Sequence, residues 1–355
     1  MKSGFLLIVL LSVGAFAQEP DFAALKSRAE SGDAAAELQL AKAYETGKGV
    51  RADKFQAADW YLKSAEHGNA EAQNTTGVLL RTGGGGRKDP TEALKWFRLA
   101  AKQGYADAMF NIGTAYYNGD GVEISDELAL CWFIAAQAFG SKAADGAVQR
   151  ALSELKPRRV HAGMAAGAVF LISGAEFPAN PSAAVPWLKQ LLHDGEVEAL
   201  LPLAKLSLEG RGVPKDLALG RSYCEQGAKA KVPSAMACLG MIYQTGLGVA
   251  VDSSVAAGWY RKGAECGDVR SLYILSQLYA KGEGVKQDDV QRYVLLQVAG
   301  AASPQARREA ETVKADLDSD ELKKAEKKIR ELREKIAASG CVTERGAPSG
   351  LKIRK

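Results

Sequence analysis

A fixed interval between copies of one short signature restricts this chain to few folds. The segments ETGKGV from Glu45, RTGGGG from Arg81, YNGDGV from Tyr117, LEGRGV from Leu208, QTGLGV from Gln244 and AKGEGV from Ala280 each contain a glycine pair. Their leading glycines, Gly47, Gly83 and Gly119, stand 36 residues apart, and so do Gly210, Gly246 and Gly282. Two blocks of three similar units follow, and units of this length bury their apolar faces only by stacking on one another.

Other positions keep the same phase. Three residues before the leading glycine stand Tyr44, Leu80, Tyr116, Ser207, Tyr243 and Tyr279, and six before it the small residues Ala41, Gly77, Gly113, Ala204, Gly240 and Ser276. That spacing puts small and bulky positions on one face of a helix, where the small ones admit a close neighbour. Downstream of the turn, Asp53, Asp89, Ser125, Asp216, Asp252 and Asp288 recur at one position and read as caps of a second helix. Seven residues after the cap stand Trp60, Trp96, Trp132, Tyr223, Trp259 and Leu295, a bulky stripe assigned to the core. A phosphate-binding glycine loop follows a strand and opens a helix, whereas these glycines close one helix several residues before the next begins. Their role is therefore conformational, because left-handed backbone angles cost little only without a β-carbon.

The unit ADAMFNIGTAYYNGDGVEISDELALCWFIAAQAFG, residues 106–140, resembles the Sel1-like repeat family, a branch of the tetratricopeptide-like helical repeats. Similar units run through 36–68, 72–104, 199–231, 235–267 and 271–300. The resemblance implies an all-α fold, an α/α superhelical solenoid of about six such repeats in two blocks of three, 18–140 and 182–303. It also implies that the first helix of each pair lines a concave side that holds other proteins, with no catalytic residue shared across the family. Two stretches depart from the pattern. Gly119 and Gly210 lie 91 residues apart, not a multiple of 36, so 141–181 is expected to be a divergent helical insert. It contains a polar helix ending near Lys156 and Pro157 and the apolar run AGMAAGAVFLIS from Ala162, too short to cross a bilayer. After the sixth repeat, a charged capping helix is expected over 304–338, with Leu322, Ala325, Ile329, Leu332 and Ile336 as its apolar stripe, then an unstructured basic tail over 339–355.

The amino terminus combines Lys2, an apolar run from Phe5 to Leu11 and small residues at Ala15 and Ala17. This predicts a signal peptide, residues 1–17, cleaved after Ala17, hence a secreted or periplasmic protein with no membrane span in the mature chain. A formal net charge of +4 over 355 residues gives no field of one sign, which argues against a nucleic-acid partner. Five cysteines allow at most two internal bridges. Cys224 and Cys238 fall at matching heights on consecutive helices and are a candidate pair, with free buried thiols or a Cys238 to Cys266 bridge as the alternatives.

No recurring position carries an acid/base pair, a nucleophile or a metal cluster, and His67, His161 and His193 are scattered, so neither enzyme activity nor cofactor nor metal is expected. Two S-x-x-K matches, Ser153 to Lys156 and Ser349 to Lys352, raise the alternative of an envelope hydrolase or penicillin-type ligand binder, but no companion S-D-N or K-T-G motif is present. The expected function is an exported protein-interaction scaffold. Repeat phase selects its candidate contacts on the first helices: Lys42, Asn74, Arg81, Thr114, Tyr117, Lys205, Gln244, Tyr273 and Gln277. Tyr117 and Tyr273 also suit a third reading, a cell-wall glycan as partner.

Overall fold

The computed structural model describes residues 22–342, and among these all regular structure is helical. First helices α2 (Ala34–Thr46), α4 (Ala70–Thr82), α6 (Ala106–Asn118), α9 (Pro157–Ser173), α11 (Leu200–Glu209), α13 (Pro233–Thr245) and α15 (Val269–Lys281) alternate with second helices. The latter are α3 (Lys54–Glu66), α5 (Pro90–Lys102), α7 (Asp126–Ala138), α10 (Pro181–His193), α12 (Leu217–Lys229), α14 (Ser253–Glu265) and α16 (Asp289–Ala299). α1 (Phe22–Glu30) precedes them, α8 (Lys142–Glu154) interrupts the alternation, and α17 (Pro304–Asp316) and α18 (Ser319–Ala338) follow. Among the described residues, α1 to α6 belong to one compact unit that ends at Ile124, and α7 to α18 to a second that begins at Ser125.

Each turn is built from two local demands. The leading glycine takes a left-handed φ, 76° at Gly47 and 71° at Gly246, and its N–H returns to the carbonyl four residues back. The capping residue then folds onto the helix just finished: Asp53 N–H donates to the Tyr44 carbonyl at 2.8 Å and Asp252 N–H to that of Tyr243 at 2.9 Å. The position three before the glycine thus serves through its backbone, which explains why Leu80 and Ser207 are accepted there. The side chains of Asp53, Asp89, Ser125, Asp216, Asp252 and Asp288 all accept from the amino ends of their helices. The second glycine has a different task. A β-carbon on Gly121 would lie 2.7 Å from the Pro90 carbonyl carbon, and one on Gly248 would lie 2.9 Å from Leu217 Cβ, so this glycine lets the turn rest on the preceding second helix.

The core follows the small positions. A β-carbon on Gly77 would meet Phe97 Cε1 at 2.6 Å, and one on Gly240 would meet Tyr260 Cε1 at 2.7 Å. Tyr61, Phe97, Phe133, Cys224, Tyr260 and Leu296, fourteen residues after the leading glycines, are all buried. The Trp stripe, one residue earlier, is less uniformly core than expected: Trp132 is fully buried, but Trp96 and Trp259 are only half-buried. The side of the ring that faces water is used, since Lys262 Nζ lies 4.0 Å from the Trp259 ring centroid and Lys63 Nζ lies 3.8 Å from that of Trp60.

The insert contains more order than its sequence disclosed. Gly174 caps α9 with φ 67° and stands 36 residues before Gly210. Asn180 caps α10, its N–H returning to the Leu171 carbonyl at 2.7 Å, and Ala168, Trp187 and Leu188 keep the repeat phase. α9 and α10 are therefore a further pair, and α10 belongs with α9 instead of starting the second block. Glu176 replaces the second glycine here, and Phe177 turns inward to meet the rings of Trp132, Phe139 and Phe170 at centroid distances of 5.7, 5.6 and 6.3 Å. α9 packs closely on α7 through Gly163 and Gly167, whose added β-carbons would lie 2.9 Å from Leu130 and 3.1 Å from Ile134. Only α8 and the residues joining it to α9 are truly additional.

The carboxyl-terminal region corrects two expectations. Two helices, α17 and α18, replace the single capping helix, because Leu317 and Asp318 break the chain and Asp318 with Glu321 forms a reciprocal capping box. The tail is not loose from Ser339: Cys341 is bonded to Cys266, and Val342 N–H donates to the Lys231 carbonyl at 3.0 Å. Residues 343–355 lie outside those described, as do residues 1–21 with the signal and its cleavage position. A second bridge joins Cys224 to Cys238 across α12 and α13, with Cα atoms 6.1 Å apart. Cys266 is thereby unavailable to Cys238, and Cys131 is a buried free thiol.

Candidate protein-binding surface

The exposed face of the first helices is where repeat phase placed the candidate contacts, and the structure divides them into engaged and open groups. Lys42 Nζ lies 2.6 Å from Glu71, the Asn111 amide donates to Asn74 at 2.9 Å, and Arg81 lies 4.0 Å from Asp120. The first two contacts join one first helix to the next in the first unit, and the third ties α4 to the turn that follows α6. Gln244 accepts from the Tyr260 hydroxyl at 2.8 Å, as Glu45 does from Tyr61 at 2.6 Å. Burial, then the Glu45 carboxylate, pushes the Tyr61 hydroxyl pKa up, so this bond keeps its proton.

Tyr273 and Gln277 are brought together, but not as a free surface. Tyr273 Oη donates to Glu309 Oε1 at 2.6 Å, Gln277 Nε2 donates to Glu309 Oε2 at 2.8 Å, and Gln305 donates to Tyr273 Oη at 2.6 Å. Burial raises the Glu309 pKa, yet the hydrogen bonds from Tyr273, Gln305 and Gln277 outweigh it and leave the carboxyl below its usual range. α17 lies over α15 and takes both candidates, a docking that repeat phase alone could not disclose. Thr114 donates to the Phe110 carbonyl of its own helix at 3.0 Å. Tyr117, 48% exposed, and Lys205 remain open.

Lys205 borders a cleft that the sequence did not single out. It has a volume of about 230 Å³ and lies between α9 and α11, with Val169, Ile172, Leu201 and Pro202 forming its apolar lining. Pro202 has no N–H to donate to the Glu198 carbonyl, so the first turn of α11 is replaced by a 3-10 turn, Val197–Ala199. Aligning the seven first helices by their capping glycine would have found the cleft, because Val169 and Ile172 stand where most others are polar.

The alternative chemistries find little to work with. Ser153 Oγ donates to the Arg150 carbonyl within α8, and Lys156 lies beyond that helix as the cap of α9, so the two do not share the helical turn that an S-x-x-K pair requires. Ser349 lies outside the described residues. His67 contacts the buried Glu37 at 2.8 Å, and His161 lies between Glu196 and Asp194 at 2.9 and 3.3 Å. Among the described residues no His, Cys, Asp and Glu group has the geometry to hold a metal ion, and no helix is long and apolar enough to cross a membrane.

A family model described as the Sel1 repeat matches residues 34–69, 70–105, 106–136, 197–232, 233–268 and 269–291. Among solved structures, the chain is similar to a protective antigen of uropathogenic Escherichia coli strains displaying an SLR fold, at 23% identity over 90% of this chain and 96% of that one, with a TM-score of 0.34. It is also similar to a Sel1 repeat protein from Oxalobacter formigenes, at 25% identity over 83% of this chain and 90% of that one, with a TM-score of 0.37. No curated protein matches the chain.

Proposed function

Since the chain belongs to the Sel1 repeat family, whose matches fill more than half of the sequence, we propose that it is an exported, non-enzymatic scaffold that binds other proteins along its first-helix face. Repeats of this kind are typically protein-interaction scaffolds. The observation that carries the proposal is how the side chains are used. Among the described residues, buried positions hold one helix to the next, caps and glycines shape the turns, and Tyr117 and Lys205 stay exposed on first helices of their respective units. Export is supported by the amino-terminal sequence pattern and by two disulfides, which persist in oxidising compartments.

A photo-crosslinking residue at Tyr117 tests this reading against one at Leu62, an exposed position on a second helix. In cells producing the protein, the expected result is defined protein adducts from position 117, recovered in the envelope or secreted fraction, and none from position 62. Equal adducts from both positions, or a cytoplasmic protein retaining residues 1–17, would count against it.

A further inference from the structure

We propose that the cleft between α9 and α11 seats a segment of a partner protein in which a bulky apolar side chain is followed by Asp or Glu. The inference rests on the scaffold reading and names the chemistry that one part of the surface recognises.

Comparison of the first helices by position shows what is unusual here. Five and two residues before the capping glycine stand Lys42 and Glu45, Val78 and Arg81, Thr114 and Tyr117, Lys205 and Leu208, Met241 and Gln244, and Gln277 and Ala280. Every one of these pairs includes a polar or hydroxyl-bearing residue. In α9 the same positions hold Val169 and Ile172, and Val169 is 46% exposed. The face that is polar elsewhere becomes an apolar floor at this pair, and Leu201 and Pro202 of α11 extend it. Leaving such surface in water forfeits burial free energy that an apolar ligand would recover.

Size and charge narrow the occupant. About 230 Å³ is below the range of roughly 300–1,000 Å³ typical of small-molecule pockets, and suits one or two side chains of a peptide. Arg211 is already committed, one nitrogen donating to the Ile172 carbonyl at 2.9 Å and another lying 3.6 Å from Glu209. Lys205 is exposed and forms no ion pair with any described residue, so the uncompensated charge at the rim is positive. A carboxylate beside the apolar group complements it. A side-chain carboxylate fits better than a chain terminus, because terminal carboxylates are captured by clustered backbone N–H groups, and the backbone lining this cleft is helix. The chain's own tail is a poor occupant, since Lys352, Arg354 and Lys355 surround Leu351 and Ile353 with the same sign of charge as the rim.

The test is a methyl NMR titration of the full chain with an acetylated and amidated hexapeptide carrying one leucine followed by one aspartate in a glycine-serine frame. The expected result is saturable shifts at the methyls of Val169, Ile172 and Leu201, with a Kd on the order of 1 mM for so small a contact. K205E should weaken this about fivefold, and a peptide with lysine in place of aspartate should regain the loss on K205E. V169E, at a half-exposed position, should abolish the shifts while leaving the circular-dichroism melt in place; if V169E fails to fold, the K205E charge swap decides alone. Unmoved methyls would overturn the proposal. So would equal shifts from a peptide with serine for leucine, a preference for an unblocked carboxyl terminus without aspartate, or a dimer in sedimentation that V169E disperses. If crosslinks from position 117 persist while the peptide leaves the methyls unmoved, the cleft assignment falls and the scaffold reading stands.

Discussion

One added methyl group at Gly77 would stand 2.6 Å from the Phe97 ring, inside contact distance of a fully buried side chain. G77A should therefore destabilise the first unit by about 1–3 kcal/mol, read as a lower denaturant midpoint at unchanged m-value. Gly146 in α8 has nothing within 4 Å of an added β-carbon, so G146A should stabilise by up to about 1 kcal/mol through helix propensity. Cap residues add a pH term. Asp89 is held below the ordinary carboxylate pKa of 3.8, first by the Glu92 backbone N–H and then by Arg87, against the desolvation that opposes them. Its folded pKa is depressed, so its contribution is present above the unfolded value and is lost as pH falls through the folded one; D89N, still a cap, should flatten that part of an acid-denaturation profile. Residue roles with purely local causes, left-handed glycines and capping aspartates, were legible in the sequence. The buried position one residue after each Trp was not, because residue size favoured the Trp, and only packing shows that Lys63 and Lys262 cover the outer side of those rings.

At the scale of elements, the two bridges differ in what they enclose. Cys224 and Cys238 are 14 residues apart and Cys266 and Cys341 are 75 apart. Loop-closure entropy gives about 3 and about 4.5 kcal/mol respectively for removing them. The longer loop encloses α15 to α18, so C341S should lower the stability of the second unit more than C224S paired with C238S. It should also raise amide exchange in α18, whose Lys335 lies 3.5 Å from Glu265 beside the bridge. Cys266 and Cys341 lie in different kinds of segment, one in the repeat phase and one past its end, which is why phase found the first bridge and not the second. The α9–α10 pair was hidden for a similar reason: Glu176 stands where the second glycine would be, and a search for the glycine pair passes over a turn that keeps the left-handed residue, the cap and the spacing. The nine candidate contacts were chosen by position alone, which does not separate the open Tyr117 and Lys205 from the rest, and the cover that α17 places on Tyr273 and Gln277 depends on a docking with no sequence signature.

For the molecule as a whole, both disulfides lie in the second compact unit, and the five Trp residues are divided between the units, Trp60 and Trp96 in the first and Trp132, Trp187 and Trp259 in the second. Reduction should therefore lower the unfolding transition seen by single-Trp variants that keep Trp132 or Trp187, and leave that of a Trp60 variant in place. Cys131 supplies an internal clock for the same unit: it is fully buried and burial pushes its thiol pKa well up, so under non-reducing conditions alkylation should await unfolding and follow its rate. The contact between His67 and Glu37 has counterparts at the same two positions elsewhere, Gln103 with Gln73 at 2.9 Å and Cys266 with Met236 at 3.9 Å. A histidine–glutamate contact, an amide pair and a sulfur pair thus occupy one structural address, and in these three repeats both partners fall inside one repeat. Genetic crossovers at the short glycine links between repeats would carry each matched couple across intact, whereas exchange in mid-repeat would leave the buried Glu37 facing a disulfide sulfur in place of a histidine.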